Sequence, residues 1–419
     1  MKDKLSLKYF IFSLDLFSQE FFFCTCSLFG ITYNGVGSSS IYVVYSVVLF
    51  ALTMFFVLKD LIKSKRQISK PFFLLLPFIM SFIFLIEYQI TPPTGIEWTW
   101  KSYVFFMLFC MPAMYVGTSM SVRKEINPIY PYMDTVLIVM ALGLIRSVPT
   151  LLATGMASLT GGESSGDYNT IAYCSALCFG SIYYGLLANR PDRFGIFRSK
   201  IFRIFSVVLL PALAFASFSS GGRGGSLLLI IMFLYLTWKY FKNASPIRIA
   251  ILGIPILAIV AFAAVKLVQS NSLLSAAFEH GTDRAFSYIT GNGVDMSQTS
   301  NRDIIYENAL NAVKEDPIAI RGFFRTIGMR GYPHNFFIEI LLDGGLIYFF
   351  IWIVYLFNIF RKGYKMINRD PDLFFMMVVS LYVLVSCFFG GTYLMTGLFW
   401  FILALIHNYI LIKPVGLYE

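Results

Sequence analysis

The feature that most constrains this chain is a series of apolar stretches of about 20 residues, repeated along most of its length. A helix of about that length crosses the ~30 Å hydrocarbon core of a bilayer. Hydrophobic residues make up 57% of the 419 residues and charged residues only 13%, too few to cover a water-soluble surface. We therefore predict an all-α, polytopic integral membrane bundle, and we exclude a soluble enzyme.

Twelve stretches are candidate transmembrane helices. They cover about residues 8–30, 41–58, 71–90, 102–119, 132–152, 170–189, 204–219, 226–241, 249–268, 336–360, 373–389 and 396–412. The first stretch follows three lysines, as a signal peptide would, but no small-residue cleavage site follows it. Asp15 and Glu20 also interrupt it, and we interpret it as a single, unusually polar transmembrane helix.

The net charge of +10 is explained by topology. With the amino terminus inside, the inner loops and the two termini hold 23 of the 33 lysine and arginine residues. This distribution satisfies the positive-inside rule loop by loop. We therefore predict that both termini are cytoplasmic and that nucleic acid is not a partner.

One outer connection, residues 269–335, is much longer than the others, and we expect function to reside there. The predicted organisation is transmembrane helices 1–9 within residues 1–268, this extracytoplasmic loop, and transmembrane helices 10–12 within residues 336–419. Within the loop, Ser300 and Asp303 have the spacing of a capping box. The apolar residues that follow predict a short amphipathic helix ending before Pro317.

Six basic residues lie in this outer loop, where the positive-inside rule makes them unexpected. They are Arg284, Arg302, Lys314, Arg321, Arg325 and Arg330. Arginine presents a planar fork of donors that suits pyrophosphate. The loop therefore either binds a polyanionic ligand or is a solvated segment whose basic residues are balanced by its acidic ones.

A glycine-rich turn, residues 219–226, joins the seventh and eighth stretches at the outer side. Its glycines, including Gly222 and Gly224, allow the backbone to approach a ligand closely. Arg223 stands between them, so the turn is either an anion site or a tight turn from which Arg223 extends to lipid phosphates.

His334 lies at the outer start of the tenth stretch, four residues after Arg330. Its side chain titrates near neutral pH and can serve as a general base or orient a hydroxyl by hydrogen bonding. A structural role at the membrane interface is the alternative. All six cysteines lie in apolar stretches, so we expect no disulfide framework and no CxxC metal site in the loops. We also expect no metal and no cofactor.

Three of these features together resemble a known family. They are the Gly222-Arg223-Gly224 turn, Arg302 at the start of the loop helix, and the run Gly-Tyr-Pro-His-Asn-Phe-Phe-Ile-Glu at residues 331–339 with Asp-Gly-Gly at 343–345. The combination resembles the O-antigen polymerase and O-antigen ligase superfamily of bacterial envelope glycosyltransferases. The resemblance is concentrated in residues 219–226 and 300–346, and it departs at Gly222, where the family's turn has serine.

The resemblance implies transfer of a glycan from undecaprenyl pyrophosphate to a sugar hydroxyl, without a metal, at the outer face of the bacterial cytoplasmic membrane. Arg223 and Arg302 would hold the pyrophosphate, and His334 would take the proton from the acceptor hydroxyl or orient it. If the acceptor attacks in line, the anomeric carbon is inverted. The implied substrate-binding residues are Arg321, Arg325, Arg330, Asn335, Glu339, Gly222 and Gly224.

Two activities share these residues and differ in the molecule that accepts the glycan. A polymerase of O-antigen, exopolysaccharide or capsule adds the glycan to another lipid-linked repeat unit, whereas a ligase adds it to lipid A-core. We favour a polymerase because these proteins are diverse and often depart from the family pattern, and a chain-length regulator is then a candidate partner. A transporter or flippase is the remaining alternative, but transporters bind substrate near the membrane midplane, whereas the polar residues here gather in one outer loop.

Overall fold

A computed structural model describes residues 6–31, 40–63, 106–123, 127–154, 167–188, 193–241, 302–323, 333–369 and 373–412, with isolated positions in 86–104 and 272–294. The described residues form twelve α-helices and one pair of two-residue strands, β1 (Ile289–Thr290) and β2 (Gly293–Val294). An all-helical architecture is therefore confirmed.

The first eight helices are α1 (Leu7–Leu16), α2 (Ser18–Phe29), α3 (Ser40–Lys63), α4 (Met111–Arg123), α5 (Tyr130–Thr154), α6 (Asp167–Leu187), α7 (Lys200–Ser219) and α8 (Arg223–Phe241). The last four are α9 (Arg302–Glu315), α10 (Phe336–Arg369), α11 (Phe374–Phe389) and α12 (Gly397–Ile412). The predicted loop helix is present as α9.

Six segments among the described residues are long and apolar enough to cross a membrane: 40–63, 127–148, 168–187, 200–219, 223–241 and 336–365. Three shorter apolar helices cover 106–121, 374–389 and 397–408. The chain is thus a helical membrane protein, and the number of twelve spans stays a prediction. The stretch predicted at 249–268 and nearly all of 71–90 lie outside the described residues.

The prediction of one continuous helix over residues 8–30 is wrong. Helix α1 ends at Leu16, Phe17 leaves helical geometry with φ −121° and ψ 26°, and α2 begins at Ser18. Neither piece alone has the length that a bilayer requires. Buried Asp15, beside the break, accepts a hydrogen bond of 3.2 Å from Thr53 of α3, which supplies the polar partner that a carboxyl group needs there.

The chain divides into two compact units. The first comprises residues 1–18, 40–133 and 291–419, and its helices pack with α4 along α12 and with α10 against α9, α11 and α12. A Cβ atom at Gly117 of α4 would clash with the backbone of Phe401 in α12, so this glycine permits their close approach.

The second unit comprises residues 19–39 and 134–290, and in it α6 packs against α7 and α8. Its most buried charged groups are Arg193 and Asp134, whose Nε and Oδ2 atoms lie 2.8 Å apart with side chains 3% and 1% exposed. Ser181 donates a further hydrogen bond of 3.2 Å to Asp134. A charge can be buried at this depth because its partner is buried with it.

Helix α10, predicted as one span over 336–360, is broken at Gly344 and Gly345, which have non-helical backbone angles. Gly345 has φ +65° and ψ −168°, a backbone conformation that is essentially confined to glycine. The polar backbone groups at the break are satisfied by the end of the outer loop. The amide of Leu346 donates to the carbonyl of Pro317, and the amides of Arg321 and Gly322 donate to the carbonyl of Asp343, all at 2.8 Å.

Candidate active site

The side chains of the candidate site meet at the turn between α11 and α12, residues 389–396, which we call the α11–α12 turn. Helix α11 ends where the amides of Gly390 and Gly391 both donate to the carbonyl of Ser386, at 2.9 and 2.7 Å. That geometry leaves the carbonyl groups of Phe389 and Gly390 available to other partners. The predicted topology places this turn on the same outer side as the loop 269–335.

Arg302 is the first residue of α9, and its Nη2 atom donates a hydrogen bond of 2.8 Å to the carbonyl oxygen of Phe389. This contact holds one edge of the guanidinium group against the α11–α12 turn. The group as a whole is partly exposed. A fixed, partly exposed guanidinium group is suited to binding an anion.

His334 contacts the next carbonyl of the same turn: its Nδ1 atom lies 3.1 Å from the oxygen of Gly390. Because a carbonyl oxygen only accepts hydrogen bonds, Nδ1 carries the proton in the neutral ring, and Nε2 keeps its lone pair. Arg302 and His334, both predicted as catalytic, are therefore brought together on consecutive carbonyl groups.

The backbone of His334 is left-handed, with φ +54°, the one such non-glycine residue among those described. Conformations of this kind cost about 1–3 kcal/mol and persist only where surrounding contacts enforce them. Here the ring's bond to Gly390 lies on one side of the residue. On the other side, the Oδ1 atom of Asn335 caps α10 by accepting from the amides of Phe337 at 3.1 Å and Ile338 at 3.3 Å.

The environment of His334 lowers the pKa of its imidazole below the ordinary value. Burial is the main cause, because it disfavours the charged form, and the positive charge of Arg302 acts in the same direction. The bond to the Gly390 carbonyl opposes them in part. The net effect favours a neutral ring, which is the form able to accept a proton.

Two carboxyl side chains of α10 tie its first segment to the same turn. The hydroxyl of Thr392 donates to Glu339, and the hydroxyl of Tyr393 donates to Asp343 at 2.7 Å. Both carboxyl groups are buried. Glu339, predicted to bind substrate, therefore also holds the α11–α12 turn against α10.

Arg321 caps the end of α9. Its guanidinium group donates to the carbonyl of Ala312 and, at 2.8 Å, to the carbonyl of Asp316. These carbonyl groups lie at the helix carboxyl terminus, where a positive charge is favourable. This geometry gives Arg321 a structural role, and its substrate-binding role stays a prediction. Arg325 and Arg330 lie outside the described residues.

The glycine-rich turn belongs to the second unit. Gly221 has φ +77°, and Arg223 is the first residue of α8. A Cβ atom at Gly222 would clash with the side chain of Ala172 in α6, so close helix packing explains the glycine there. Gly224 is buried and Arg223 is partly exposed at the positive end of a helix, which adds to the positive potential of that end.

The sequence prediction missed the α11–α12 turn itself. Gly390, Thr392 and Tyr393 supply the contacts to the predicted residues, but they follow no recognised motif. The sequence signal that could have identified this turn was its predicted position relative to the membrane. The Gly-Gly-Thr-Tyr sequence breaks an apolar region on the side of the membrane predicted to carry the long loop.

No group of three or more His, Cys, Asp or Glu side chains in the described part of the chain is arranged to hold a metal ion. The fold and site define a helical membrane protein in which a guanidinium group and an imidazole contact consecutive carbonyl groups of one turn.

Residues 205–353 match the family model described as O-antigen ligase. This match confirms the resemblance to the O-antigen polymerase and O-antigen ligase superfamily, whose members are glycosyltransferase-like enzymes acting on lipid-linked oligosaccharides in membranes. The matched range includes every predicted site residue, from Gly222 to Glu339, and ends before the α11–α12 turn. No curated protein and no solved structure matches the chain.

Proposed function

We propose that this protein is a bacterial envelope polysaccharide polymerase. It transfers a glycan from undecaprenyl pyrophosphate to a sugar hydroxyl of a lipid-linked repeat unit, at the outer face of the cytoplasmic membrane. The observation that carries the proposal is the attachment of Arg302 and His334 to the consecutive carbonyl groups of Phe389 and Gly390. These two side chains supply the anion-binding group and the base that such a transfer needs.

His334 is the general base of the proposed reaction. With Nδ1–H held by Gly390, the lone pair of Nε2 accepts the proton of the acceptor hydroxyl as its oxygen attacks the anomeric carbon. The lowered pKa keeps the ring neutral near pH 7, so the base is ready before the acceptor arrives. In-line attack inverts the anomeric carbon, and a product of retained configuration would contradict this step.

Arg302 stabilises the leaving group. As the new bond to the acceptor oxygen forms, the bond between the anomeric carbon and the pyrophosphate oxygen breaks, and its electron pair stays on the lipid pyrophosphate. A guanidinium group already fixed in position can bind this growing charge without reorganising. We propose that arginine side chains supply the charge that a divalent cation would otherwise provide, with Arg223 as a further predicted pyrophosphate ligand.

A ligase is the second candidate, because the matching family model is described as O-antigen ligase and supports both activities of the superfamily alike. It would use the same donor, base and leaving group and would differ in its acceptor, lipid A-core. The two activities therefore differ in the products that accumulate when the protein is inactive.

The test is the glycan profile of cells that lack this protein and carry either wild-type protein, His334→Ala or Arg223→Ala. His407→Gln is the matched control, because His407 contacts Tyr355 of α10 and takes no part in the proposed chemistry. Single repeat units on the core would indicate a polymerase, and long chains on undecaprenyl pyrophosphate with bare core would indicate a ligase. A normal profile with correctly inserted His334→Ala protein would refute the proposed site.

A further inference from the structure

Two isoleucine side chains at the end of the outer loop are largely exposed. Ile318 is 62% exposed and Ile320 is 86% exposed, and both follow the end of α9. They belong to residues 317–320, which we call the anchor segment. Its two large apolar side chains raise the question of what covers them.

Hydrogen bonds attach the anchor segment to α10 at the helix break, Gly344 and Gly345. The Pro317 carbonyl accepts from the amide of Leu346, and the two amides that follow the segment donate to the carbonyl of Asp343. The fit is close, because a Cβ atom at Gly345 would lie 2.6 Å from the Pro317 oxygen. The depth of the isoleucines in the membrane is therefore set by the depth of this break.

The break lies at one edge of the hydrocarbon core. The apolar part of α10, residues 336–365, has 30 residues and is about 45 Å long, which exceeds the ~30 Å of hydrocarbon. The far end of the helix carries Arg361, Lys362 and Lys365, all exposed, which mark the opposite head-group region. Counting back about 20 residues from these charges reaches residues 341–345, and the break falls there.

The environment of the α10 side chains differs on the two sides of this break. On the 336–343 side, Glu339 and Asp343 are buried and hydrogen-bonded to the α11–α12 turn. On the other side an exposed apolar stripe begins, and it includes Ile347, Phe350, Ile351, Val354 and Phe357. A stripe of this kind on a spanning helix faces lipid. The anchor segment lies where the stripe begins, so its isoleucines continue the lipid-facing surface.

We propose that residues 317–320 insert into the interfacial region of the lipid bilayer and anchor the outer loop to it. The occupant of the surface is phospholipid, because the isoleucines lie at the hydrocarbon edge and adjoin a lipid-facing stripe. Since the segment follows α9 directly, lipid contact fixes the carboxyl end of α9, the helix that begins with Arg302. The inference depends on α10 crossing the membrane and is independent of the proposed reaction.

The test uses the full-length protein in phosphatidylcholine nanodiscs, with a bimane fluorophore on Ile320→Cys. Asn311→Cys is the matched control, because Asn311 is exposed on α9. The unsubstituted protein gives the background from the native cysteines, six in number and all buried. Ile318→Cys provides an independent second position in the same segment.

The expected result is quenching of the Ile320 label by lipid carrying a nitroxide near its head group, several-fold stronger than for Asn311. Aqueous iodide should quench the Asn311 label and spare the Ile320 label. Equal quenching of both labels by iodide would overturn the proposal, because the segment would then lie in water. Protection of the Ile320 and Ile318 labels from both quenchers would also overturn it, because protein would then cover the segment.

Discussion

The Nδ1 atom of His334 lies 3.1 Å from the carbonyl oxygen of Gly390, a residue 56 positions later in the chain. In many catalytic pairs a carboxylate fixes which nitrogen of the histidine ring carries the proton. Here a backbone carbonyl group does so. It does so without adding a negative charge, which would raise the pKa of the imidazole. The imidazole is therefore oriented by a partner that leaves its neutral form favoured.

Transfer activity should fall as pH drops through the pKa of His334, because the neutral ring is the active form. Burial and Arg302 lower this pKa, so the acid limb of the rate profile should lie below the ordinary histidine value of about 6.5. Removing the charge in Arg302→Gln should move the acid limb of the residual activity to higher pH. Arg302→Lys keeps the charge, and its acid limb should stay near that of the wild type. Identical acid limbs for the Gln and Lys variants would contradict the electrostatic effect.

Tyr393→Phe should destabilise the α11–α12 turn and reduce activity. The change removes the hydroxyl that donates to buried Asp343 at 2.7 Å and leaves that carboxyl group without this donor. Losing a hydrogen bond to a buried carboxyl group costs about 1–3 kcal/mol. Thermal unfolding in detergent should show a lower midpoint for Tyr393→Phe than for Tyr364→Phe, a change at an exposed tyrosine of α10. Equal midpoints would show that this hydrogen bond contributes little.

Gly345→Ala should be strongly destabilising, whereas Gly363→Ala in the same helix should be tolerated. At residue 345, alanine would have to adopt φ +65° and ψ −168°, at about 1–3 kcal/mol, and would also approach the Pro317 carbonyl. At residue 363, the added Cβ atom meets only the side chain of Ile406, which can shift. The yield of monodisperse protein and the thermal midpoint of the two variants measure the difference. Equal behaviour would show that the break in α10 does not require a left-handed residue.

Arg193→Ala should destabilise the second unit by about 3–5 kcal/mol, because it removes the buried positive charge that is paired with Asp134. The double variant Arg193→Gln with Asp134→Asn removes both charges and should be less destabilised than the sum of the two single changes. A double-mutant cycle on unfolding free energies measures the coupling. Strict additivity would mean that the two charges do not stabilise each other.

Local patterns in the sequence predicted much of the candidate site. The spacing of apolar residues after Asp303 predicted the helix that the structure shows at 302–315, and the motif at 331–339 drew attention to His334. The substrate-binding roles of Arg321, predicted from the basic residues of the outer loop, and of Asn335, predicted from this motif, stay predictions. Both side chains cap helix ends, and capping depends on where the chain turns in space. A motif identifies residues, whereas their partners are set by packing.

The sequence by itself determined the class of this protein, because crossing hydrocarbon requires about 20 consecutive apolar residues, and such a run is a local property of a chain. Only the tertiary structure decided that Arg302 and His334 meet at the α11–α12 turn. Their partners Phe389 and Gly390 lie 87 and 56 positions away, and such pairs form through the packing of α9, α10 and α11. The breaks at Phe17 and Gly345 were decided in the same way, since hydrogen bonds from distant segments satisfy the polar groups beside them.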